Sequence, residues 1–329
     1  MLFISDLHLT DRKDDSYRFD LFPFLEKQIE KYQVKELFIL GDVTDFKDKH
    51  SSILVNNITN AIVRLSSACA VHILAGNHDY SVEGKPFLEF LNHLPNVHFY
   101  IEPAKVGRYW FLPACSCPEK TWEKLPLEVN DYDYLFFHDA VIGSKASDFY
   151  EMEHGLSPDY FKTRIPKEVR VLAGDIHIAQ KVGVVEYIGS PYRIRLGDSF
   201  DPRVLLLRDG KDIDLKPNLL SKSTAVITDI DDLDALETKP GDQIKVRFKI
   251  DKATLPHWSD IKTEISDRCL KLGLDLKATE LQVTKRRKTL KKGNKTIDLK
   301  GSDKQLVNSH CELENLDGMT KDIGLELIV

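Results

Sequence analysis

Aspartate, histidine and asparagine recur in this chain in five short clusters, each set directly after an apolar run. They are Ser5-Asp6-Leu7-His8, Gly41-Asp42-Val43-Thr44-Asp45, Gly76-Asn77-His78-Asp79, Phe137-His138-Asp139 and Gly174-Asp175-Ile176-His177. Carboxylate, imidazole and amide oxygen are together the donors that hold Mn²⁺, Fe²⁺ or Zn²⁺. No cysteine stands among them, which favours a harder ion over a thiolate-bound zinc. The candidate ligands are Asp6, His8, Asp42, Asn77, His78, His138, Asp175 and His177. Asp6 and His8 are one residue apart, so only a kinked strand-to-loop junction can aim both at one point.

The elements that must position these groups are legible in the apolar runs. "MLFIS", "ELFILGD", "CAVHILAGNHD", "RYWFLPA", "YDYLFFHDA", "VRVLAGDIH" and "GVVEYIGS" read as strands without a polar face. Helical patterns fall between them, from about Arg18 to Tyr32 and from Ser51 to Leu65. Buried strands alternating with helices predict an α/β fold, a sandwich with its sheets covered by helices. In such sheets ligands bind at the carboxyl ends of the strands, where every one of the five clusters lies. The texture changes at "LLLRDGKDIDLKPNLLSKS", which reads as a last strand, a turn and a linker. Residues 1–210 are expected to form the catalytic domain, 211–223 a linker and 224–329 a small α+β domain. That small domain has an alternating strand in "QIKVRFKID", a helix from His257 to Leu272 and strand character from Leu281 to Thr284.

A chain of 329 residues is long enough for two domains. Its 42% hydrophobic and 30% charged residues exclude a disordered or fibrous protein. The net charge of −6 excludes a basic nucleic-acid coat, so any contact with nucleic acid needs a local patch or a metal. No apolar run reaches the roughly 18–20 residues of a membrane span, and no membrane partner is expected. "MLFISDLHL" reads as a strand and not as a signal peptide, having no basic start and an early Asp6. Five cysteines without regular spacing argue for free thiols and a reducing compartment, the cytoplasm.

Taken in order, D-x-H, G-D-x-x-D, G-N-H-D, a lone H after a strand and G-x-x-H make residues 1 to 205 resemble the calcineurin-like metallophosphoesterase superfamily. Within it, "GDIHIAQKVGVVEYIGSPYRIRLGD" followed by a small C-terminal domain is similar to SbcD-type DNA repair nucleases. Those are nuclease subunits that pair with SbcC-type ATPases, and bacteriophages carry versions of them. The resemblance implies a metallophosphoesterase β-sandwich with a smaller C-terminal cap. It implies two divalent ions, Mn²⁺ before Mg²⁺, the first held by Asp6, His8, Asp42 and His177. The second would be held by Asp42, Asn77, His138 and residue 175, with Asp42 bridging. Two ions about 3.5–4 Å apart clamp a phosphate and supply a hydroxide for in-line attack. His78 would stabilise charge on the phosphate or protonate the leaving oxygen, and Asp79 would orient it. The implied activity is exonuclease or endonuclease cleavage of DNA in end processing, repair or recombination. The implied partners are DNA, an SbcC-type ATPase and a second copy of the chain.

Two positions depart from the family pattern. The family usually has G-H-x-H where this chain has Gly174-Asp175-Ile176-His177. Asp is a competent oxygen ligand and hardens the second site toward Mn²⁺ or Mg²⁺; being shorter than His, it also leaves open a weakened second site. Asp45 stands where several relatives have a histidine that orients substrate for exonuclease cleavage. It reads instead as a group holding a ligand histidine from behind.

Outside the clusters, Arg193 and Arg195 could touch phosphate or pair with Asp198 or Asp201. "KRRKTLKKGNK" carries Lys285, Arg286, Arg287, Lys288, Lys291, Lys292 and Lys295 with no acid, and Gly293-Asn294 suggests a hairpin tip. Such a tip would neutralise DNA backbone charge without reading sequence; the plainer reading is a solvated loop. The apolar end "DIGLELIV" is a candidate docking segment for a partner. His50, His72, His93, His98, His154, His257 and His310 stand in no motif and read as surface or packing residues. Two rivals remain at this stage: a small-molecule phosphodiesterase or phosphatase on the same fold, and a non-catalytic subunit that binds DNA ends.

Overall fold

A run such as Leu37-Phe38-Ile39-Leu40 has no polar face, so both sides of its strand must be covered. The computed structural model meets this demand with four layers. It describes residues 1–81, 84–147, 150–250, 255–283, 289–292 and 295–298. Strands β1 (Leu2–Ile4), β2 (Glu36–Leu40), β3 (Ala70–Leu74) and β4 (Val97–Tyr100) lie parallel in a first sheet. Strands β5 (Ala104–Val106), β6 (Tyr109–Leu112) and β7 (Tyr134–His138) begin a second sheet. After a small hairpin of β8 (Lys145–Ser147) and β9 (Tyr150–Glu151), it is completed by β10 (Arg170–Gly174), β11 (Gln180–Val182) and β12 (Val185–Tyr187). The chain then returns to the first sheet as the hairpin β13 (Val204–Arg208) and β14 (Lys211–Leu215). The strand orders are β14-β13-β1-β2-β3-β4 and β11-β12-β10-β7-β6-β5, each with four adjacent parallel strands.

Alternation along each strand deals side chains to two different layers. Phe3, Phe38, Leu74, Phe111, Phe136 and Leu172, drawn from both sheets, fill the space between them. Leu37, Ile39, Val71 and Ile73 face the other way, onto helices α1 (Leu21–Tyr32) and α2 (Ser52–Ser66). Leu135, Phe137 and Val171 pack against Trp122 of α3 (Pro118–Trp122) and Phe161 of α4 (Pro158–Arg164). The result is the α/β sandwich flanked by helices that the sequence predicts. His72 falls on the face between the sheets, stacked on Phe38 with ring centres 4.9 Å apart. Its Nδ1 is 2.9 Å from the Tyr100 hydroxyl, so it is a core histidine.

Two boundaries differ from the reading of the sequence. α2 starts where expected, with the Ser51 hydroxyl capping it by accepting the Leu54 N–H at 3.1 Å. α1 starts three residues later than expected, because Lys13–Asp20 winds as a 3₁₀ helix that turns Asp15, Tyr17 and Arg18 inward. Residues 211–215, expected in a linker, form strand β14, whose partner β13 satisfies its backbone groups.

The chain divides into two compact units. The larger holds residues 1–225, 236–245 and 269–278; the smaller holds residues 226–235 and 246–268 with the described residues from 279 onward. The C-terminal elements are β15 (Lys222–Ile227), β16 (Gln243–Ile250), α5 (Trp258–Lys271) and β17 (Asp275–Val283), the strands forming a sheet in the order β15-β16-β17. Within the smaller unit Arg268 reaches Asp231 at 3.0 Å and Arg247 reaches Glu280 at 2.8 Å. Among the described residues no helix is long and apolar enough to cross a membrane. Cys69, Cys115, Cys117 and Cys269 are free thiols.

Candidate metal centre

β1, β2, β3, β7 and β10 run in parallel within their sheets and end at one edge of the sandwich, each handing over to one of the five clusters. The turn at each strand end is sharp. Asp6, His8, Asp42 and Asp175 all take left-handed backbone, with φ of 55°, 42°, 52° and 82°. Such a conformation costs a non-glycine residue about 1–3 kcal/mol and persists where the surroundings over-determine it. Four such residues in one place mark a built site. Gly41 precedes Asp42 at φ 93°, and a Cβ there would stand 2.1 Å from His138 Nδ1. Only glycine leaves room for that imidazole.

Asp42 is the hub. Its Oδ2 is 3.5 Å from His8 Nε2, and its Oδ1 is 3.3 Å from His138 Nε2. On the first side His8 Nε2 and His177 Nε2 lie 3.1 Å apart, and donor atoms of Asp6, His8 and His177 fall within 4.8 Å of one another. On the second side His138 Nε2 lies 3.3 Å from Asn77 Oδ1 and 3.8 Å from Asp175 Oδ1. Donor atoms of Asp6, Asp42 and His138 there also fall within 4.8 Å. His138 Nδ1 donates to the Leu40 carbonyl at 2.7 Å, which leaves Nε2 facing the carboxylates.

The electrostatics describe a cage for cations. Burial pushes the Asp6 carboxyl up to about 7 against the opposing charge of His138. Burial also raises Asp175, again opposed by His138. Burial would raise Asp42 too, but His138, His8 and His78 outweigh it and hold Asp42 below the usual carboxylate range. His138 shows the reverse: burial lowers it, and Asp42, Asp6 and Asp175 outweigh burial and raise it well above an ordinary histidine. Burial lowers His8 well below its ordinary value and His177 to about 4, so both are the neutral imidazoles that bind metal. The residues form two adjoining donor groups that meet at Asp42, a chemistry that fits divalent cations.

The groups around the donors differ in part from expectation. His78 lies at the rim, its backbone N–H donating to Asp42 Oδ1 at 2.9 Å. Its ring is not held by Asp79: His78 Nδ1 donates to the Asp45 carbonyl at 2.6 Å. Asp79 is fully buried and accepts backbone N–H groups from Val43, Thr44 and Gly76 at 3.0, 3.3 and 2.9 Å. It ties the second and third clusters together and acts on their backbone, because a carboxylate sealed from solvent takes the nearest orphan N–H donors. The Asp45 carboxylate is 3.6 Å from His8 Nδ1, behind a donor histidine.

Arg193 Nε donates to the Phe200 carbonyl at 3.0 Å, while Arg195 is exposed. Asp198 accepts the backbone N–H groups of Ile194 and Arg195 at 2.8 Å each, and Asp201 meets Lys216 at 3.3 Å, so neither guanidinium is taken by those acids. Lys285, Arg286, Arg287 and Lys288 lie outside the described residues, as does "DIGLELIV". Lys291 and Lys292 belong to a strand, Thr289–Lys292, paired antiparallel with Lys295–Asp298. Sequence reasoning missed Arg18, Ser190 and the role of Tyr192. Arg18 donates to the His8 carbonyl, Ser190 Oγ to the Asp6 carbonyl at 3.1 Å, and the Tyr192 hydroxyl to the Leu7 carbonyl. No local pattern marks them, since each bonds a backbone carbonyl. A cavity of about 610 Å³ opens beside Asn77, His138 and Asp175, walled by Tyr80, Pro103 and Trp122.

A sandwich of two mixed sheets with an Asp-His-Asn edge at the strand ends defines a metal-dependent phosphoesterase. Residues 1–179 match the family model for the calcineurin-like phosphoesterase, and the chain belongs to that family. It is 28% identical over 218 residues to the protein named exonuclease subunit 1 of Enterobacteria phage T4, an alignment covering 62% of each chain. It is also 22% identical to an uncharacterised protein of Acanthamoeba polyphaga mimivirus, over 98% of this chain and 26% of that one. The chain thus spans less than two thirds of the length of either relative.

Proposed function

We propose that this chain is a two-metal DNA phosphodiesterase, the nuclease subunit of an SbcD-type assembly that processes DNA ends in repair or recombination. The observation that carries the reading is the placement of Asp42, one carboxylate oxygen near His8 and the other near His138. It supports one shared bridge between two ions. Asp6, His8 and His177 would complete the first site, and Asn77, His138 and Asp175 the second. The harder, oxygen-rich second site favours Mn²⁺ or Mg²⁺. When bound, such ions supply Lewis acidity and activate water. His78, held at Nδ1 by the Asp45 carbonyl, has Nε2 free to meet a phosphate oxygen or the leaving oxygen. Arg195 stands exposed near His177, suited to backbone phosphate. The name of the T4 relative supports exonuclease action and a subunit role; the SbcC-type ATPase partner rests on the resemblance of this chain to SbcD-type nucleases. Residues to about 210 would form the nuclease domain and those from 224 a DNA-gripping cap.

The test is cleavage of end-labelled single- and double-stranded DNA with Mn²⁺, Mg²⁺ or EDTA, beside His78→Ala. The expected result is Mn²⁺-dependent cutting that falls about 10²- to 10⁴-fold in the variant with ion content unchanged. The 610 Å³ cavity favours a second reading, a phosphodiesterase of small molecules. Turnover of bis(p-nitrophenyl) phosphate with no cutting of DNA would select it.

A further inference from the structure

Three strands of the C-terminal sheet each send one side chain to the same two residues. Lys222, at the start of β15, forms an ion pair with Asp15. Gln243, at the start of β16, donates to the Asp14 carbonyl. Lys277, in β17, lies 2.8 Å from Asp14 Oδ2. Asp15 is 2% exposed, and so is Arg18, whose guanidinium stands 3.0 Å from Asp15 Oδ1. Arg18 donates onward to the His8 carbonyl and, at 3.2 Å, to the Ile194 carbonyl. Two buried cations therefore share one carboxylate, and the far end of this chain of contacts grips the backbone of a metal-site histidine.

That grip matters because His8 is held in left-handed backbone at φ 42°. A non-glycine residue stays there only under constraint from outside. A lone buried charge is costly, so Arg18 keeps its place only while Asp15 is seated beside it, and Lys222 is Asp15's second partner. A planar guanidinium also bonds two carbonyls and a carboxylate at fixed angles, which an ammonium cannot do.

We infer that Arg18 is a positioning residue of the metal centre, and that Lys222 and Asp15 couple ion binding at His8 to the seating of strand β15. The inference rests on the metal-centre reading above. Coupling of this kind is reciprocal, so the ion should also steady the strand.

The test uses the full chain. Mn²⁺ binding is measured by titration calorimetry for wild type, Arg18→Lys and Lys222→Met, with folding checked by circular dichroism. Both variants should bind Mn²⁺ about 10- to 100-fold more weakly, as loss of groups behind metal ligands does. In parallel, hydrogen exchange of wild type is followed with and without Mn²⁺, which needs no variant to fold. Amides of residues 222–225 should be slowed by the ion. Wild-type affinity in both folded variants, or exchange there unmoved by Mn²⁺, overturns the inference and leaves the metal centre standing. A wild-type chain that takes up no Mn²⁺ overturns the metal-centre reading and this inference with it.

Discussion

Asp175 stands where the family usually has histidine, and its carboxylate lies 3.8 Å from His138 Nε2 with its N–H bonded to Asp6 Oδ1 at 3.0 Å. Its backbone and side chain thus face Asp6 and His138, as the proposed oxygen ligand of a second ion must. Asp175→Ala should bind one Mn²⁺ in place of two and lose about 10- to 100-fold in kcat/KM, while Asp175→His restores both ions. Elemental analysis of the dialysed protein counts them. The convergence of these groups was legible because hard-metal chemistry uses few residue types, and these stood in clusters directly after apolar runs. Arg18, Ser190 and Tyr192 were not, because each acts on a backbone carbonyl. Ser190 and Tyr192 reach theirs from 184 and 185 residues away. No pattern of residue types encodes such a partner. Asp79 differs for a related reason: the resemblance implied that it orients His78, while burial gives it three backbone donors.

The strand ends carry the site, and their tolerances are narrow. Gly41→Ala would place a Cβ 2.1 Å from His138 Nδ1 at φ 93°. Overpacking and left-handed strain together should cost about 2–5 kcal/mol in urea denaturation, with a matching loss of ion affinity. Strands were readable as unbroken apolar runs, yet β4, β5, β11 and β14 escaped notice. They are short edge or near-edge strands with few β-branched residues, and pairing rather than propensity defines them. His72 on β3 gives the sheet interface a pH dependence. Burial pulls it from 6.5 down to about 4, so the folded chain keeps it neutral where the unfolded chain takes up a proton. Its contribution is fully present above pH 6.5 and is lost as the pH falls toward 4, by about 3 kcal/mol at most. His72→Phe should therefore show a shallower fall in stability between pH 6.5 and 4, read from denaturation midpoints.

At the scale of the molecule, alternating strands and helices gave away the four-layer sandwich, and five clusters after strands pointed to the edge where they meet. Strand order and the return of the chain into the first sheet depend on pairings across some 200 residues, as between Leu2 and Leu206, and no local signal carries them. The C-terminal sheet was recognisable as strands around a helix, but its attachment to Asp14 and Asp15 was not. The five clusters meet at one edge, where Asp42 lies between His8 and His138. The decisive measurement is the number of Mn²⁺ ions bound per chain by wild type and by Asp42→Asn, with DNA cutting followed in the same samples. Two ions should bind to wild type and DNA be cut only when both are present, while Asp42→Asn holds at most one, weakly, and does not cut. A wild-type chain that saturates with one ion or none, or an Asp42→Asn chain that keeps two, would contradict a centre bridged by Asp42.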